Sequence, residues 1–216
     1  MAADLSPRLR VHSPRSPVRA VAVLLHGGRE HSREPATARQ PAPLRMEPFA
    51  LVLRRAGRRR GLAVATVGYR VRGWNGAEAS PVPDAQWALR ELHDRHPGVP
   101  LVLVGHSMGG RTALRVAGHP HVHGVAALAP WLPAGEPLEQ LAGRRVLLMH
   151  GTDDRTTSPK ATRAYAERAR SIAAAVQYLA VPGDNHAMLR RPGRWHRAVA
   201  AFTLDCLTGA PAPSWE

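Results

Sequence analysis

Six apolar runs of strand length punctuate this chain, each bounded by turn residues: AVAVLLHG (20–27), GLAVATVGYR (61–70), PLVLVGHS (100–107), HGVAALAP (123–130), RRVLLMHG (144–151) and AVQYLAVPG (175–183). They are rich in Val, Leu and Ala and show little polar alternation. That is the pattern of strands buried on both faces of a parallel sheet. Helical patterns occupy most of the intervals, at 44–57, 83–96, 108–119, 158–174 and 193–209. Pro83 with Asp84, and Ser158 with Pro159, supply first-turn and capping residues. The alternation predicts an α/β fold: a three-layer α/β/α sandwich with a mostly parallel, doubly wound sheet. No internal repeat or low-complexity linker divides the 216 residues. One domain is therefore expected, its core spanning about 18–208, with loosely ordered tails at 1–17 and 210–216.

Charge raises a competing function and then weakens it. The formal net charge is +14, the balance of a chain that meets nucleic acid or an anionic surface. Yet among the 30 basic residues only Lys160 is a lysine, which looks like coding bias, and the arginines are scattered. The densest run, Arg54 to Arg60, ends a predicted helix, where cations are favoured anyway. No nucleic-acid partner is expected. No run reaches the ~18 apolar residues of a membrane helix, and the N-terminal MAADLSPRLRVHSPRSP lacks a signal-like apolar stretch. A cytoplasmic protein with no membrane partner is the expectation. The single cysteine, Cys206, excludes an internal disulfide and reads as a core residue.

The most informative motif is Gly105-His106-Ser107-Met108-Gly109, which ends one apolar run and opens a helical one. A sharp strand-to-helix turn lifts the serine hydroxyl above the sheet. It demands small flanking residues, which Gly105, Gly109 and Gly110 supply. The same turn aims the helix N-terminus and the Met108 amide at the oxygen of a bound carbonyl. The bland alternative is a glycine-rich turn that happens to hold a serine.

In chain order, HGG (26–28), GHSMGG (105–110), HGTDD (150–154) and GDNH (183–186) resemble the motifs of the α/β-hydrolase superfamily over nearly the whole chain, in its order of nucleophile, acid and histidine. The resemblance implies Ser107 as nucleophile and His186, past the last strand and before the final helix, as its base. It implies Asp154 as the acid that orients the imidazole, with Asp153 the neighbouring alternative and Asp184 a turn residue. Gly28 is the expected second oxyanion donor beside Met108, with Arg29 as the residue that could replace it. His106 is expected to pack beneath the elbow, and His26 and His150 to support their loops. His119, His121 and His123 could suggest a metal, but no carboxylate or cysteine joins them. No metal or cofactor is expected.

Larger members of the superfamily insert a helical lid between the strands ending near Pro130 and starting near Arg144. Here thirteen residues, 131–143, fill that gap, so no large cap domain is expected and the site should be open. Loop 29–43 is the segment that could still cover it. Trp74 and Trp131 are candidate pocket residues or plain packing residues. Arg29, Arg70 and Arg72 could favour an anionic substrate. The implied function is a serine hydrolase of carboxylesterase type, cleaving a small-molecule ester or thioester through an acyl-enzyme. The alternatives are a peptidase or acyltransferase with the same triad, or a non-catalytic ligand-binding protein on the same fold.

Overall fold

Residues 5–208 are described by the computed structural model. The apolar runs form the strands β2 (Ala20–Leu25), β3 (Leu62–Gly68), β4 (Leu101–His106), β5 (Val122–Leu128), β6 (Arg145–Gly151) and β7 (Ala175–Val181). Before them comes β1 (Arg8–His12), and the sheet order is β1-β3-β2-β4-β5-β6-β7. Only β1 runs antiparallel, pairing with β3 in register from Arg8 opposite Gly68 to His12 opposite Val64. The segment 1–17, expected as a loose tail, therefore contributes an edge strand. Its alternation of Arg and apolar residues suits an edge that is half exposed. The tail expected at 210–216 lies outside the described residues.

Alternate strand residues face opposite layers, as the two-residue strand period requires. Val21, Val23 and Leu25 of β2 join one core with α3 (Pro81–Arg95), α4 (Met108–Arg115) and α5 (Pro159–Ala169). Ala20, Ala22 and Leu24 join the other core with α2 (Glu47–Gly57) and α6 (Pro192–Thr208). A short turn of helix, α1 (Pro41–Leu44), precedes α2, so the helix expected at 44–57 is split. Pro48 stands at the first turn of α2, where a missing N–H is harmless. Cys206 is buried in the α6 core, and burial pushes its thiol up to about 12.

The topology decides where a site can form. From β2 the chain moves to β3 on one side and then to β4 on the other. Their carboxyl ends therefore open a crevice at a switch point. The loop after β2, the turn after β4 and the loops after β6 and β7 all leave the sheet at that edge. Between β5 and β6 the chain makes only a loop and one 3-10 turn, Glu139–Leu141, so no large cap is present.

Candidate active site

Ser107 sits between β4 and α4 with φ 56° and ψ −118°, a backbone conformation that costs an ordinary residue strain. Its N–H donates to Leu128 O at 2.9 Å, and its carbonyl accepts from Trp131 N–H at 3.2 Å, so both sides of the turn are anchored. The flanking glycines are sterically required. A Cβ on Gly105 would stand 2.1 Å from Gly109 O, and one on Gly109 would stand 2.1 Å from Leu25 O.

His186 Nε2 lies 3.0 Å from Ser107 Oγ, and its Nδ1 lies 2.8 Å from Asp154 Oδ2. A carboxylate only accepts, so Nδ1 carries the proton and Nε2 presents its lone pair to the serine hydroxyl. That is the tautomer a base needs. The Asp154 side chain is 0% exposed. Its Oδ1 accepts from the backbone N–H groups of Thr156 and Thr157 at 2.8 and 3.0 Å. Its Oδ2 is also 2.9 Å from Thr157 Oγ1 and 3.0 Å from His150 Nε2. Burial pushes this carboxyl up, but the hydrogen bonds from His150, His186 and Thr157 outweigh it and hold Asp154 well below the usual carboxylate range.

The neighbouring acids do other work. Asp153 is exposed and pairs with Arg190 at 3.2 Å. Asp184 is buried and accepts from Trp195 Nε1 at 2.8 Å and from the Asn185 and Arg191 N–H groups at 2.8 and 3.0 Å. It ties the His186 loop to α6, which agrees with its expected place in a turn. His106 does more than pack. Its Nε2–H donates to the His186 carbonyl at 3.0 Å, so the elbow holds the histidine loop directly. Burial, then the neighbouring His186, push His106 down to about 3, and burial takes His26 to about 4, so both rings are neutral.

The two residues expected as a second amide donor, Gly28 and Arg29, differ in geometry. Arg29 N–H is committed to Arg72 O at 2.8 Å. Among the described residues, the Gly28 and Met108 amides have no hydrogen-bond partner. A Cβ on Gly28 would meet Arg72 O at 2.3 Å and Met108 Cε at 2.4 Å, so this position beside the elbow must be glycine.

The surroundings depart from expectation. Trp74 is buried in the core rather than lining an open pocket, while Trp131 is half-buried beside the elbow. The two rings meet edge to face at 6.0 Å. Between them lies Arg111, one turn beyond Ser107, with its guanidinium 3.8 Å from the Trp74 ring centre and 4.5 Å from that of Trp131. Arg111 and Arg115 both pair with Glu136, whose carbonyl also accepts from Arg168 at 3.0 Å. This clamp fixes the short loop 131–143 against the elbow helix. Arg70 is tied to buried Asp84 and Arg72 pairs with Glu34, whereas the exposed Arg29 has no ion pair among the described residues. Loop 29–43 is pinned to 70–78 through Glu34 and through Ser32 N–H to Asn75 Oδ1 at 2.9 Å. Beside His186 runs a polar groove lined by Thr152, Arg155, Thr156, Asn185 and Arg190, of about 700 Å³.

His93 and His121 stack at 4.4 Å, and no group of three or more His, Cys, Asp or Glu side chains could hold a metal among the described residues. No helix among them is long and apolar enough to cross a membrane.

A fold with this sheet order, a strained serine at the β4–α4 turn and a histidine and aspartate from the last two loops is that of an α/β hydrolase. The sequence model of the alpha/beta hydrolase family matches residues 82–201, more than half of the chain, and the chain belongs to that family. Comparison with curated proteins found no match. Among solved structures it is similar to a serine hydrolase without lid from Xanthomonas campestris (19% identity, 96% of this chain and 91% of that one, TM-score 0.66). It is similar to a thermophilic esterase from Thermogutta terrifontis (18%, 98% and 94%, TM-score 0.72). A serine hydrolase homologue from Coxiella burnetii matches at 15% over 94% of each chain with TM-score 0.69.

Proposed function

We propose that this chain is a serine hydrolase that cleaves a small ester or thioester through an acyl-enzyme. The observation that carries the reading is the unbroken relay of Ser107, His186 and Asp154 at 3.0 and 2.8 Å, next to two uncommitted amides. Ser107 Oγ attacks the carbonyl carbon while its proton passes to His186 Nε2. The carbonyl oxygen becomes an oxyanion facing the Gly28 and Met108 amides. Collapse breaks the carbonyl–oxygen or carbonyl–sulfur bond, and Nε2 returns the proton to the leaving group. Water then repeats the cycle on the acyl-enzyme and frees the acid.

Because Nε2 must protonate the leaving atom, the leaving group sits on the His186 side, where the polar groove begins. A fluorophosphonate probe should label the protein, and Ser107→Ala should abolish both labelling and turnover of p-nitrophenyl, thioester and lactone substrates. Binding without turnover or labelling would instead mean a ligand-binding protein on this fold. Amide cleavage or acyl transfer to an alcohol would move the activity to a peptidase or an acyltransferase.

A further inference from the structure

His150 ends β6, and its side chain is 0% exposed. Both ring nitrogens are engaged: Nε2 lies 3.0 Å from Asp154 Oδ2 and Nδ1 lies 2.8 Å from Thr162 Oγ1. The carboxylate cannot donate, so His150 Nε2 carries a proton. A neutral ring then accepts the Thr162 hydroxyl proton at Nδ1. Thr162 is itself buried and fixed in the first turn of α5 by its N–H to Ser158 O at 3.1 Å. The Asp154 carboxylate thus selects the tautomer of His150, the Thr162 hydroxyl matches it, and His150 holds the same Asp154 oxygen that receives His186 Nδ1–H. Two imidazoles donate to one carboxylate oxygen.

We propose that His150 is a positioning residue of the hydrolytic site: its Nε2–H fixes Asp154 Oδ2 and takes up part of its charge, which limits how strongly Asp154 holds His186 in the protonated form. The inference rests on the serine-hydrolase reading above. Each further donor on a carboxylate disperses its charge and weakens its attraction for a neighbouring cation. With the His150 donor gone, Oδ2 would favour imidazolium at His186 more strongly. The base form that Ser107 requires would then appear only at higher pH, so the acid limb of kcat/KM moves up. A loop-supporting histidine would change stability and leave that limb in place.

The other groups facing His186 remain in every variant, so the shift isolates His150. They are His106, with ring centres 4.8 Å apart, Arg45, bonded to the Ala187 carbonyl, and Asp153, Arg155 and Arg190 along the groove. Around His150, Asp154 is the charged group within hydrogen-bond distance, with Thr157 Oγ1 3.3 Å from Nε2.

The test compares wild type with His150→Leu, His150→Gln and Thr162→Val. Gln carries an N–H donor near the position of the imidazole Nε2. Labelling of Ser107 by a fluorophosphonate comes first, followed by kcat/KM for p-nitrophenyl acetate across pH and the ¹⁵N signals of the His150 ring. His150→Leu should move the acid limb up by about 0.5–1 pH unit, roughly a three- to tenfold loss at a pH on that limb. His150→Gln should return it toward wild type, and Thr162→Val should shift it less in the same direction. The wild-type ring should carry its proton on Nε2. A folded, labelled His150→Leu protein whose profile superposes on wild type overturns the proposal, as does a ring protonated on Nδ1 alone. If His150→Leu does not fold, the Thr162→Val profile and the ring signals decide. A wild type that neither labels nor turns over any ester sinks the serine-hydrolase reading and this inference together, whereas labelling with an unshifted limb sinks this inference alone.

Discussion

Ser107 stores strain that a glycine would release. Its φ of 56° puts the Cβ in a region that costs a non-glycine residue about 1–3 kcal/mol. Comparing Ser107→Gly with Ser107→Ala isolates that term, because both lose the hydroxyl and its 3.0 Å contact with His186 Nε2. Glycine loses more freedom on folding than alanine, which offsets about 0.5–1 kcal/mol. The difference leaves Ser107→Gly more stable than Ser107→Ala by about 1 kcal/mol, or roughly 2–4 °C in Tm for a chain of this size. Urea unfolding of the two variants, with the slopes compared, measures it directly. A Ser107→Gly protein no more stable than Ser107→Ala, at equal slope, would show that the turn is relaxed and that the strain argument is wrong.

Three further outcomes are expected. Asp154→Asn should lower ester turnover by up to about 10⁴-fold, as loss of the acid does in a well-studied triad. Asp153→Asn should cost little, and a reversed rank in the kinetics would reassign the acid. Stability should fall from pH 6.5 toward pH 4. Buried His26 and His106 bind protons near pH 4 and 3 in the folded chain but near 6.5 when unfolded. The unfolded chain then holds more protons in that window, and each histidine removes about 1.4 kcal/mol per pH unit. Below that window Asp154 adds to the loss, since its depressed carboxyl stabilises the fold only while ionised. Flat urea midpoints between pH 6.5 and 4.5 would refute the account. Finally, p-nitrophenyl esters should be cleaved fastest with short acyl chains and without a jump in rate above the solubility limit. A maximum at twelve carbons or more would contradict an uncovered site.

The parts of the site that were legible in the sequence are those held by local backbone demands. Ser107 stood out because strand, glycines and helix meet within five residues. The pair at 153 and 154 lay one step beyond a strand, and Asp154 is the one that reaches His186 because Asp153 turns outward to Arg190. What stayed hidden depends on partners far apart in the chain. Arg111 looked like one arginine among many until Glu136, Trp74 and Trp131 closed around it. Arg70 and Arg72 looked free until Asp84 and Glu34 occupied them. The strand at Arg8–His12 escaped notice because its residues alternate with arginine and its pairing partner, Val64–Gly68, lies far along the chain.

The clamp on Glu136 also divides loop 131–143 into unequal parts. Trp131 and Glu136 are held by Arg111, and Tyr165 reaches the Pro137 carbonyl at 2.8 Å, but Pro133–Gly135 bow outward between them, exposed. A Cβ on Gly135 would meet nothing within 4 Å. Lengthening a flexible loop adds only about 0.6 kcal/mol for each doubling. Extra chain spliced into those three residues would therefore leave the Glu136 clamp and the Ser107 turn untouched. The tip of this loop is where added chain would least disturb the residues that hold Trp131 and Glu136 against α4.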